Sequence, residues 1–136
     1  MSEVRYQLTV SEAQLGMIST ACEIAARACI GQFDGIAFQF FMGQVPTGQF
    51  CQIRDALQAV QPLVTGREHR SAAITDDLRD DHELAWSLYH AARYRLYVDK
   101  CEANGRPMDG WTVLSYPPCR HGRHDAPEIV RLEAQS

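Results

Sequence analysis

EVRYQLTVSEAQLGMISTACEIAARACI, residues 3–30, changes its hydrophobic period once, and that change decides how the fold is read. Over 3–10 the apolar positions Val4, Tyr6, Leu8 and Val10 alternate with polar ones, the pattern of a half-buried strand. Ser11 follows as an N-cap, with Glu12 in the first turn of a helix. From 12 to at least 30 the spacing becomes helical: Leu15, Ile18, Cys22, Ala25 and Cys29 form one stripe. Met17, Ala21, Ile24 and Ala28 widen it. So broad an apolar surface predicts burial on two sides, against a sheet and against another helix or subunit. The polar stripe is Glu12, Ser19, Glu23 and Arg27.

Downstream, GQFDGIAFQFFMG (31–43) crowds Phe33, Phe38, Phe40 and Phe41 around Gly31 and Gly35. The helix either continues here, packed closely at the glycines, or breaks. The cluster fits a plain core first and a subunit interface second. Pro46, Thr47 and Gly48 mark a break. A second helix is expected over about 48–64, with Phe50, Ile53, Leu57, Val60 and Val64 in helical register. Pro62 should end or kink it, and Gly66 terminates it. Residues 65–76 read as a polar loop. A third helix is expected over about 77–100, with acids at its start (Asp76, Asp77, Asp80, Asp81, Glu83) and bases at its end (Arg93, Arg95, Lys100), matching the helix dipole. Its core stripe reads Leu78, Ala85, Leu88, Ala92, Leu96. A loop over 101–110 carries the turn signals Asn104-Gly105 and Asp109-Gly110. Trp111–Tyr116 reads as a strand, 117–127 as a loop, and 128–133 as a last strand. The expected fold is therefore α+β: three helices on a small, mostly antiparallel sheet, in the order β-α-α-α-β-β, within one domain spanning 1–136.

Composition narrows the function classes. The chain is 46% hydrophobic and 22% charged, ordinary for a globular protein. A net charge of −4 argues against an overall electrostatic grip on DNA. Of 13 basic residues only Lys100 is lysine; arginine suits planar recognition of carboxylate or phosphate, though base composition of the gene produces the same bias. The five cysteines contain no CxxC pair, and the first residues carry no long apolar run. The expectation is free thiols in a reducing cytoplasm, with no membrane span. No GxSxG, Walker loop, GxGxxG or HExxH occurs, so no catalytic residue and no cofactor is assigned.

Four features offer chemistry. Trp86, His90, Arg93 and Tyr97 are spaced to share one side of the third helix, with Tyr94 and Arg95 beside them. Aromatic rings provide stacking platforms and arginine a fork for phosphate; the alternative is a second packing face. Arg27, four residues after Glu23, reads first as a helix ion pair, and otherwise as a group projecting with Gln32 into a shared pocket. Cys119, His121, His124 and Asp125 lie in one loop, with Cys101 across from it. C-x-H-x-x-H is not a standard zinc spacing, and Arg120 and Arg123 oppose a cation, so a solvated basic loop and no metal are expected. The acid run 76–83 lacks a calcium-loop pattern and reads as helix capping.

Three segments resemble a widespread family of small uncharacterised bacteriophage and prophage accessory proteins. TVSEAQLGMISTACEIAARACIGQFDGI matches it at Arg27, Gly31, Gln32, Phe33 and Ile36, LAWSLYHAARYRLYVD at Leu88, Arg93, Arg95 and Leu96, and GWTVLSYPP followed by APEIVRLE at the end. The resemblance implies a phage accessory role in an infected bacterial cytoplasm, and such proteins often counter host defence. The leading expectation is a non-enzymatic homo-oligomeric sponge that sequesters a cyclic-nucleotide-type immune signal between subunits. Its ligand-binding set is Arg27, Gln32, Trp86, His90, Arg93, Tyr94, Arg95 and Tyr97. The alternatives are an anti-CRISPR-type inhibitor that binds a host defence protein, and a small metal-dependent hydrolase.

Overall fold

The computed structural model describes residues 3–66 and 74–133. Five helices follow one another: α1 (Glu12–Cys29), α2 (Gly35–Phe40), α3 (Thr47–Gln58), α4 (Gln61–Thr65) and α5 (Asp76–Ala103). One 3-10 turn, Val113–Ser115, comes after them.

This overturns the α+β expectation: the protein is all-α, and among the described residues there is no sheet. A single isolated antiparallel bridge joins His121 and His124. Residues 3–10, an N-terminal arm, and residues 128–133 hold no regular secondary structure, and neither pairs as a strand. Their alternation satisfies the side-chain rule of a strand and leaves the backbone ladder unmade. Trp111–Tyr116, read as a strand, instead holds the 3-10 turn. It forms because the Asp109 carboxylate accepts hydrogen bonds from Trp111 N (3.1 Å) and Thr112 N (3.0 Å), which bends the chain before a strand can start. Those bonds, Thr112 N–H first, hold Asp109 well below the usual carboxylate range.

The helix limits follow local chemistry. Ser11 and Gln14 make a full capping box: Gln14 N donates to Ser11 Oγ at 3.1 Å and Ser11 N to Gln14 Oε1 at 2.9 Å. α1 breaks at Gly31, whose φ of +80° ends it. The expected second helix is two, because Pro62 starts α4 rather than extending α3. Gly66, at φ +69°, closes α4 as a left-handed cap. Thr75 caps α5 through Leu78 N. Most of the polar loop read over 65–76 lies outside the described residues.

α1 and α5 form the body of the molecule. Ile74 N donates to Cys29 O, and His82 Nδ1 meets Ala26 O at 2.7 Å, so the start of α5 lies beside the end of α1 and the two run antiparallel. Small residues are buried on both helices: Ala26 and Ala92 fully, and Ala91 and Ser87 nearly so. The buried stripe of α5 therefore runs through Ser87, His90, Ala91, Ala92 and Cys101. Leu88, read as core, faces solvent, as does Leu84. Beyond the seam, Phe50 meets Phe38 edge-on at 5.5 Å and anchors α3 to α2.

The core is thin. Its buried apolar members are Ala26, Ala37, Phe50, Ala91, Ala92 and Cys101. The chain presents 9954 Å² to solvent, against roughly 7,100 Å² expected of a compact monomer of its size. Exposed apolar groups cluster on the arm (Val4, Tyr6, Leu8), at the end of α2 (Phe38, Phe40, Phe41, Met42) and along 108–116 (Met108, Trp111, Val113, Leu114, Tyr116). No helix among the described residues is long and apolar enough to cross a membrane.

Candidate functional site on helix 5 and the 117–125 loop

One half-buried side of α5 gathers three rings and one guanidinium. Tyr89 packs against Trp86 with ring centroids 5.0 Å apart, and His82 stacks on Trp86 at 5.9 Å. The Arg93 guanidinium lies over both rings, 4.8 Å from the Tyr89 centroid and 5.7 Å from that of Trp86. Spacings of three and four residues place 82, 86, 89 and 93 in one row, so the helix itself builds the stack. Among the described residues Arg93 makes no ion pair, and its Nε is a buried donor with no hydrogen-bond partner there. An unmet charged donor is costly in the absence of a ligand, commonly about 1–3 kcal/mol.

The 117–125 loop folds back onto the same helix. His121 N donates to His124 O and His124 N to His121 O, closing a tight turn with Gly122 at φ +58°. Two-residue turns of this kind reserve their first central position for glycine. A side chain at Gly122 would strike the Glu83 carboxylate. Arg123 fastens the turn to α5: its Nε and Nη2 each donate to Asp80 at 2.8 Å, and His124 Nε2 meets Asp80 Oδ1 at 2.9 Å. Arg123, and then His124, hold the Asp80 carboxyl down at about 2.

That docking brings His121 onto His90. His90 is buried; its Nε2 donates to Tyr116 O at 3.0 Å, and its Nδ1 lies 3.1 Å from His121 Nε2. Cys119 Sγ lies 3.8 Å from the same His121 nitrogen. Burial, then the neighbouring His90 and Arg93, push the His121 imidazole down, favouring its neutral form. The loop is therefore ordered by α5 rather than solvated throughout. Both arginines that argued against a cation here are neutralised, Arg123 by Asp80 and Arg120 by Asp125 at 3.5 Å.

The other sequence candidates fall elsewhere. Arg27 donates to Glu23 (3.1 Å) and to Gln32 (2.7 Å), and its Cδ touches the place a Gly35 side chain would fill. These two residues brace the turn between α1 and α2. There Gln58 Oε1 accepts from Phe33 N and Asp34 N, while its Nε2 donates to Gln61. Ala26 lies level with His82, and Arg93 is eleven residues further along α5, about 16 Å. Within one chain Arg27 and Arg93 therefore do not converge. Arg95, about 200° around the helix from Arg93, pairs with Asp99 (Nε–Oδ1 3.0 Å) and borders a shallow groove with Glu102, Arg131 and Glu133. Tyr97 accepts a hydrogen bond from Asp109 N, and Tyr94 is half-buried. Of the expected set, Trp86, His90 and Arg93 come together. Tyr89 and His82 complete the group; their three- and four-residue spacings from Trp86 were visible in the sequence, whereas the approach of His121 to His90 was not. Asp80 and Glu83, read as capping, face the loop. Cys101 is buried away from Cys119, next to Tyr97. No family model, curated protein or solved structure matches this chain.

Proposed function

We propose that the protein is a homo-oligomeric, non-enzymatic binding protein. It captures a small phosphate-bearing ligand with an aromatic base on the Trp86–Tyr89–Arg93 row of α5. The observation that carries this reading is the Arg93 guanidinium, held over two rings with a buried donor and, among the described residues, no carboxylate partner. A phosphate oxygen would satisfy that donor, and the neighbouring rings would give a base an aromatic surface to pack against. In the phage setting that the sequence resemblance implies, such a protein acts in the host cytoplasm as a sponge for a cyclic-nucleotide-type defence signal. The large apolar surface supports self-association, which would also bring sites from several copies near one another.

Calorimetry against a panel of linear and cyclic nucleotides tests this. Binding is expected with the ligand recovered intact, and Arg93→Ala should weaken it by about 10- to 100-fold, the worth of a charged hydrogen bond. If no nucleotide in the panel binds, capture of this ligand class is rejected. The apolar 108–116 segment favours a second reading, direct docking on a host defence protein. A stable complex recovered from host lysate, lost on Trp111→Ser, would support that reading instead.

A further inference from the structure

We infer that His90, Cys119 and His121 form a three-ligand site for a divalent transition metal of the zinc class, with the fourth position open. The ligand atoms of all three residues lie within 4.8 Å of one another. A tetrahedral zinc site with metal–nitrogen bonds of about 2.05 Å and a metal–sulfur bond of about 2.3 Å has edges of roughly 3.3 Å between nitrogens and roughly 3.6 Å between nitrogen and sulfur. The corresponding separations here are 3.1 Å, from His90 Nδ1 to His121 Nε2, and 3.8 Å, from Cys119 Sγ to His121 Nε2. These two edges need shifts of only a few tenths of an ångström, and the third, from His90 Nδ1 to Cys119 Sγ, lies within 4.8 Å and closes as the exposed Cys119 side chain turns inward.

The surrounding groups match a ligand set as well. His90 Nε2 donates to Tyr116 O, which fixes the proton on Nε2 and leaves the Nδ1 lone pair facing His121. Metal-bound histidines are held in this way by their second nitrogen. His90 sits on the rigid interior side of α5, while Cys119 is exposed and leaves a path from solvent. Two imidazoles and a thiolate are the borderline-soft donors that zinc prefers. The Asp80–Arg123 pair pins the turn that delivers His121. Arg93 next to His121 adds a cation to the surroundings, which opposes the metal's charge and favours an anion or hydroxide in the open position. The competing arrangement is a plain hydrogen bond from His121 Nε2 to His90 Nδ1, in which Cys119 has no role.

The test is a titration of the chelator-treated full chain with Co²⁺, followed by Zn²⁺ competition against a chromophoric chelator. One metal per chain is expected, with a thiolate-to-cobalt charge-transfer band and the intense visible bands of tetrahedral cobalt. Cys119→Ser, a change at an exposed position, should abolish the charge-transfer band and weaken zinc by about 100-fold or more, at or beyond the loss seen on removing a second-shell partner. His121→Ala should weaken zinc comparably, and Cys51→Ser should change neither readout. The inference is overturned if the wild-type chain gives no charge-transfer band, or if Cys119→Ser and His121→Ala bind zinc as tightly as wild type. Circular dichroism of each variant confirms that the helices persist, so that a lost site is not mistaken for a lost fold.

Discussion

Tyr6→Ala should separate a free arm from a buried one. In the isolated chain Tyr6 is 93% exposed. Replacing such a side chain in a monomer changes stability by no more than about 0.5 kcal/mol. The outcome differs if the arm lies against a second copy. A tyrosine side chain offers about 200 Å², so covering all of it contributes at most roughly 5 kcal/mol at about 25 cal/mol per Å². Half-coverage gives roughly 2.5 kcal/mol, or about a 60-fold weaker association per contact. Trp111, 76% exposed, gives a ceiling of similar size. The surplus surface leads us to expect association: 9954 Å² against roughly 7,100 Å² leaves about 2,800 Å² per chain, more than the roughly 800 Å² that each partner of a standard interface contributes. Light scattering after size exclusion, over a concentration series, reads the mass directly, and a melting temperature that rises with concentration is the second signature. Wild type is expected above the 15.3 kDa of one chain, with Tyr6→Ala or Trp111→Ala shifting it downward. A wild-type chain that stays at 15.3 kDa throughout the micromolar range would refute the reasoning.

Two further predictions concern the single chain. Ala92→Leu, at a fully buried seam position, should destabilise by about 1–3 kcal/mol through overpacking of α1 on α5, whereas Leu88→Ala on the exposed side should cost under about 1 kcal/mol; urea melts compare the two. Asp80 is held down at about 2 in the folded chain, below its ordinary 3.8. Its pairing with Arg123 is therefore fully present above about pH 4 and is lost as pH falls toward 2. Hydrogen exchange of the 119–124 amides should accelerate across that window before the α1–α5 amides do, and Asp80→Asn should show the faster exchange already at neutral pH.

Helix limits were legible where the chain states them chemically. Ser11 with Gln14, Pro62, Gly66 and the acid-to-base gradient of α5 each act through nearest neighbours, so the residues predict the elements. The sheet was misread because alternation reports only which side chains share a face. Residues 3–10 and 128–133 alternate, yet a strand needs a partner ladder, and sequence carries no record of one. The stripe of α5 was read by spacing as Leu78, Ala85, Leu88, Ala92 and Leu96; Ala92 is fully buried, whereas Leu88 faces solvent and the buried positions are mostly small groups such as Ser87 and Ala91. That Trp86, His90 and Arg93 share one side of α5 was legible because one helix aligns them. The His90–His121 approach spans 31 residues and depends on Arg123 reaching Asp80, and no local pattern encodes that.

The capping box at Ser11 has a consequence for the arm before it. Because the first turn of α1 is tied at both Ser11 and Gln14, the arm departs from a fixed anchor rather than from a fraying end. Eight residues in extended form span about 26 Å, nearly the length of the 18-residue α1 at about 27 Å. One arm can therefore reach along the whole of a neighbouring helix. A copy tethered in that manner would be gripped over its full length by a strap that contributes little to its own chain.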